Sequence, residues 1–309
     1  MVYTNSQQVQ HGNLTFLLQD EIPHVTLPFI NDVPVKGPPT RYELPGGGYE
    51  TIPENPGIQQ FVWEHMNNVL RVVWRVHKAG GTFSGPKAHI CVLEAVIVGH
   101  LCSYEGRKPV PDRVQKIRDW PISRDLTSVR GFLGTVGTLR MFIKNYAVHS
   151  EPLVKLTQRK TEFLFGPTEL KAMEKIKHLV TTCPAIKPID YSSGNKVILA
   201  VDSSQIAVGY ILSQMGNDGL RYCSRFGSIT WNEQERRYSQ SKIELFGLFR
   251  ALKDVRIYII MVKCLVVEVD ARYIKGMINN PDIQPNATIN WWIAGVLLFN
   301  FELRHVPAH

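Results

Sequence analysis

The chain has 309 residues, 44% of them apolar and 20% charged, which is the composition of a folded protein with room for two or three domains and excludes a mainly disordered chain. Five cysteines stand apart with no CxxC pair, so neither a disulfide framework nor a zinc site is expected and a reducing compartment fits. The longest apolar runs, residues 92–98 and 257–262, fall far short of the ~18 residues that span a bilayer. No basic stretch followed by an apolar core opens the chain, so an intracellular protein, cytoplasmic or nuclear and without membrane contact, is expected. The formal charge is +8 and unevenly spread: 6 basic and 9 acidic residues in 1–105, 16 and 8 in 106–195, 13 and 10 in 196–309. A basic segment between two nearly balanced ones is what a surface that grips a polyanion would need.

Residues 1–105 read as strands and turns around one helix at 59–77, where Phe61, Val62, Met66, Val69, Leu70 and Val73 keep helical spacing. The glycines Gly46, Gly47 and Gly48 lack a GxxxxGK[ST] pattern and a following helix, so they predict a hairpin turn between 41–44 and 49–52 and no phosphate cradle. The middle segment reads as helical. Val114, Ile117 and Trp120 mark a short helix ended by Pro121. Leu126, Val129, Phe132, Leu133, Val136 and Leu139 mark a second, with Asp125 as its N-cap. On that helix Gly131, Gly134 and Gly137 recur every third residue, a bare edge that another backbone could approach. A third helix opens at Pro167 and carries Leu170, Met173, Ile176, Leu179 and Val180.

From Lys196 the pattern turns to strands. Residues 197–201 form a continuous apolar run, as in a strand buried on both faces, and 206–212 and 221–229 follow across short turns as an antiparallel meander. A helix at 238–252, a strand at 265–269, a helix at 288–298 and a strand at 299–306 complete a mixed α/β pattern.

Three carboxylates stand out in that order of elements. Asp202 follows the buried run, Asp270 ends the second such strand, and Glu244 lies on the helix between them, so the three can converge at one edge of the sheet. Carboxylates so gathered raise one another's pKa values unless a cation neutralises them, and hard Mg2+ or Mn2+ suits oxygen ligands. Paired ions on such a site serve in-line phosphodiester hydrolysis.

The stretches VDSSQIAVGYILSQ, RYCSRFGSITWNEQERRYSQSKIELFGLFRAL, VEVDARYIKGM and FNFELRHVP resemble the RNase H domain of gypsy-like LTR retrotransposon polyproteins. Upstream, VGHLCSYEGRKPVPDRVQKIRDWPISRDLTSVRGFLGTVGTLRMFIKNYAVHSEPLVKLT resembles the end of the palm, the thumb and the connection of the same elements' reverse transcriptase, and PFINDVPVKG is similar to the palm around its YxDD turn. The resemblance implies a mixed α/β chain cut short at both ends. Its parts would be a partial palm at 1–105, thumb and connection at 106–195, and an RNase H-like domain lacking its final helix at 196–309.

By the same resemblance Asp202, Glu244 and Asp270 are the first three ligands of an acidic tetrad that binds two Mg2+ or Mn2+ ions and cuts RNA in RNA–DNA hybrids. At the polymerase turn Asn31 replaces the first Asp and leaves Asp32, which implies that RNA-directed DNA polymerase activity is lost. Arg130, Arg140 and Lys144 are the expected contacts to the phosphates of an RNA–DNA hybrid or other duplex. The alternative is a catalytically silent remnant that binds nucleic acid.

Overall fold

A computed structural model describes residues 6–158, 161–270, 272–279 and 287–306, and divides the chain at Tyr104/Glu105 into two compact units. The first begins with a helix, α1 (Ser6–Leu17), where the sequence predicts none. No residue of α1 is buried, so it lacks the apolar face by which periodicity would reveal it. Strands β1 (Thr51–Ile52) and β2 (Asn55–Gln59) pair antiparallel and lead into α2 (Gln60–Lys78). Helix α2 lies where the spacing predicts it, but it buries Val72 and Val76, with Leu18 and Val25, while Met66, Leu70 and Val73 are exposed. The buried Glu21 holds this small core by accepting from Arg71 Nη2 at 2.9 Å and Arg75 Nε at 3.1 Å. The glycine turn is a hairpin as expected: Glu43 bridges Tyr49, and Gly47 and Gly48 take positive φ. A second hairpin joins β3 (Glu94–Ile97) to β4 (His100–Ser103).

The second unit opens with β5 (Gly106–Pro109), then α3 (Pro111–Arg118) and α4 (Leu126–Gly137). Asp125 caps α4, its Oδ1 accepting from the Ser128 amide at 2.7 Å. A single 3-10 turn (Arg140–Phe142) leads to α5 (Tyr146–Leu156), and α6 (Pro167–Thr181) follows. Ile117, Val129, Phe132, Val136, Phe142, Leu153, Met173 and Ile176 form the core of these helices.

Beyond them run β6 (Val197–Ser203), β7 (Ala207–Met215), β8 (Arg221–Thr230), α7 (Gln240–Ile259), β9 (Leu265–Val269), α8 (Arg272–Asn279), α9 (Ala287–Leu297) and β10 (Glu302–His305). The sheet order is β10-β9-β6-β7-β8, with β6–β7–β8 an antiparallel meander and β9 parallel to both β6 and β10. Alternation along β6 sends Val197, Leu199 and Val201 into one core with Val267, Leu248, Leu252 and Ile293, so α7 covers that face and α9 packs beside it. Each such side chain, buried, stabilises the unit by ~1.5–3 kcal/mol. Helix α5 and the 140–142 turn lie against β7 and β8, and the Ala147 amide donates to Ser228 Oγ at 2.8 Å. The mixed helix-and-sheet architecture is the one expected from the sequence.

Candidate active site at the ends of β6 and β9

The last register pair of the parallel strands is Val201↔Val269, and Asp202 and Asp270 are the next residue of each strand. Two carboxylates thus leave the same end of the same strand pair, both exposed, while Val201 and Val269 before them are buried. Helix α7 brings the third. Glu244 is half-buried at its first turns, flanked by the buried Ile243 and Leu245, which hold the helix to the core.

Burial, first, and then the charges of Asp202 and Asp270 push the Glu244 carboxyl up to about 7, against the pull of Gln240 Nε2, which donates to Glu244 Oε1 at 2.6 Å. The three acids sequence reasoning singled out are therefore within electrostatic range of one another. They do not form a closed cage: among the described residues no group of three His, Cys, Asp or Glu side chains is gathered to enclose a metal ion. As a donor set, oxygen-only and mutually repelling, the trio fits a hard divalent cation, whose charge would relieve the repulsion that raises Glu244.

Several neighbours were not evident in the sequence. Tyr273, on α8, lies within charge range of Glu244 and Asp270. Trp231 Nε1 donates to the Ser204 carbonyl at 2.7 Å and so pins the chain just past Asp202. The loop bearing Trp231 is tied in turn to α5, because Arg236 reaches the Trp231 carbonyl with Nε at 3.3 Å and the buried Glu151 with Nη1 at 3.1 Å. Gln240 alone carries a readable signal, standing four residues before Glu244 on the same helix face.

The other expected site residues are on other elements. Arg130 is on α4, Arg140 in the 3-10 turn and Lys144 just beyond it, and all three side chains are exposed. On α4, Gly131 touches the Trp120 ring, whereas Gly134 and Gly137 face open space. Asn31 and Asp32, in the first unit, belong to a tight turn closed by paired bonds of 2.9 Å between the Phe29 and Asp32 backbones, with Ile30 at φ 54°. Asp32 is exposed, and Asn31 lines a cavity of about 640 Å³ between α1 and the C-terminal end of α2.

This sheet topology with acids at its strand ends is similar to that of RNase H-like domains, and residues 165–266 match the family model for the RNase H-like domain found in reverse transcriptase. That match includes Asp202 and Glu244 and ends four residues before Asp270. The chain is related to retrotransposon polyproteins: the Tf2-3 and Tf2-4 transposon polyproteins of Schizosaccharomyces pombe are each 27% identical to it over 246 residues, 79% of this chain. It spans 18% of the length of those relatives. The fold is also that of foamy viral protease-reverse transcriptase in complex with dsDNA (TM-score 0.75, 16% identity, 99% of this chain and 59% of that one). The same viral protein in complex with RNA/DNA hybrid matches at TM-score 0.69 and 16% identity, over 98% of this chain and 38% of that one. The resemblance to gypsy-like polyproteins read from the sequence is borne out.

Proposed function

We propose that the second unit hydrolyses the RNA strand of RNA–DNA hybrids, using two Mg2+ or Mn2+ ions held by Asp202, Glu244 and Asp270. The observation that carries this reading is the placement of Asp202 and Asp270 at one end of the β6–β9 pair, with Glu244 of α7 within charge range of both, in a chain whose residues 165–266 match the RNase H-like domain of reverse transcriptase. Bound divalent cations supply activation of the attacking water and neutralisation of the leaving oxygen. The chain's own part is to fix the ligands. The strand ends hold the two Asp backbones in register, α7 holds Glu244 over them, and Gln240 orients one Glu244 oxygen. Glu244, its carboxyl pushed up to about 7, would have to be deprotonated to hold a cation.

The partner is a nucleic-acid duplex, supported by the foamy viral relatives in fold, which are described in complex with dsDNA and with RNA/DNA hybrid. Arg130, Arg140 and Lys144 are its proposed phosphate contacts, with the bare Gly134–Gly137 edge of α4 leaving room for a backbone. We assign no nucleotide addition to the 29–32 turn, since neutral Asn31 leaves Asp32 as its one carboxylate. A second reading, duplex binding without cleavage, is favoured by the open arrangement of the three acids.

Cleavage of an end-labelled RNA–DNA hybrid in Mg2+ and then Mn2+ separates the two. Metal-dependent cutting by the wild-type chain, lost in Asp202→Asn, is the expected result. A folded wild-type chain that binds the hybrid but leaves it intact in both metals would leave the binding reading in its place.

A further inference from the structure

One turn beyond Glu244, α7 comes close against β6. A Cβ built on Gly247 would overlap the Ser203 Oγ and would come within 3.3 Å of Ser203 Cβ and of Val208 Cγ2. Ser203 is buried, and its hydroxyl has no hydrogen-bond partner among the described residues. A buried hydroxyl without a partner adds no stability of its own, so its presence against a bare glycine is a matter of shape. The two residues are each tied to a candidate ligand: Ser203 follows Asp202 directly on β6, and Gly247 lies one turn from Glu244 on α7.

We propose that the Ser203–Gly247 contact is the spacer that sets the distance between the Asp202 and Glu244 carboxylates, making both positioning residues of the cation site. The inference rests on the reading of that site as a divalent-cation nuclease. The geometry runs through two rigid elements. The core side chains Leu245 and Leu248 fix the rotation of α7 on the sheet, and the Ser203–Gly247 gap fixes its height at the strand end. A methyl group at 247 lifts the helix away from Ser203 and carries Glu244 with it. Removing the Ser203 hydroxyl makes room again, leaving the Cβ of Ser203 and Val208 Cγ2 each 3.3 Å from the added methyl, close contacts that relax with a shift of a few tenths of an ångström.

The test is a cycle of Gly247→Ala, Ser203→Ala and the double variant in the full chain, read by Mn2+ binding, by hybrid cleavage and by unfolding. Gly247→Ala is expected to weaken Mn2+ binding by about tenfold or more, since ligand geometry controls affinity on this scale. It should also lower the unfolding midpoint by roughly 3–8 °C, as overpacking does. Ser203→Ala alone opens the same gap and is expected to weaken Mn2+ binding severalfold, and in the Gly247→Ala background, where the added methyl fills the space the hydroxyl leaves, it should recover most of both losses. A double variant no better than Gly247→Ala in Mn2+ binding overturns the spacer role. If the wild-type chain binds no Mn2+ and cuts no hybrid, the nuclease reading fails, and the unfolding cycle then decides the contact itself: additive costs overturn it, and rescue upholds it.

Discussion

Glu244 makes the site's electrostatics measurable without any metal. Its carboxyl titrates near 7 in the folded chain and near the ordinary Glu value of 4.5 when unfolded. Below 4.5 both states hold the proton, and above 7 neither does. Between them only the folded chain keeps it, so the contribution of Glu244 to stability falls as pH rises through that window and is constant beyond it. Glu244→Gln removes this slope. Urea unfolding in EDTA at pH 4.5 and 7 should show wild type losing more stability than the variant; equal losses would mean the carboxyl is not perturbed. The causes can be separated too. Since burial outranks the two Asp charges, Asp202→Asn should lower the Glu244 midpoint, followed by side-chain carboxyl NMR, yet leave it above 4.5. A fall all the way to 4.5 would place the whole effect in the Asp charge.

At the scale of elements, the end of β6 depends on a bond from another part of the sheet. Trp231 lies in the β8–α7 loop, its ring 5.4 Å from that of Phe246 and its N–H on the Ser204 carbonyl. Trp231→Phe keeps an aromatic ring and deletes the donor, so we expect a loss of ~1–3 kcal/mol in chemical unfolding, the cost of stranding a carbonyl. Reduced hybrid cleavage is expected to go with it. An unchanged unfolding curve would show that the bond does not hold the strand end.

No sequence pattern announces such a bond, and the same limit explains what was legible. Strand β6 was, because its run of apolar residues needs no partner to be recognised, and so was α7, whose Leu245, Leu248 and Leu252 recur at helical spacing. Asp202 and Asp270 were legible as the acids at the ends of the two strands, and Glu244 by its place on the helix between them. Helix α5 was not, since Pro152 lies inside it and reads as a helix breaker. Nor was the buried side of α2, where two valines meet Leu18 and Val25 in place of the longer stripe through Met66 and Leu70. Which of two apolar stripes is buried is decided by what packs on it, and the Ser203–Gly247 contact is hidden for the same reason: it joins residues 44 positions apart through a gap where a side chain is absent.

For the molecule as a whole, the question is whether the positive charge of residues 106–195 acts as a phosphate-binding surface or as solvated lysines and arginines. The net +8 of the chain equals the excess in that segment, 16 basic against 8 acidic residues. Arg130, Arg140 and Lys144 lie in a short stretch of it, on α4 and the turn that follows, and all are exposed. Phosphate contacts have a signature that solvated charges lack, because each releases condensed counterions and steepens the fall of affinity with salt by about 0.9 on a log–log plot. Replacing all three with Gln should therefore weaken duplex binding to a similar degree for unrelated sequences and flatten the salt slope by roughly 2.7. The Gln variant should unfold as wild type does, since exposed charges contribute little to stability. Binding titrations between 50 and 200 mM salt, done with a hybrid and with a DNA duplex, supply both numbers. A weaker complex with an unchanged slope would place the contacts elsewhere on the basic segment, whereas an unchanged complex would return these three residues to the solvent.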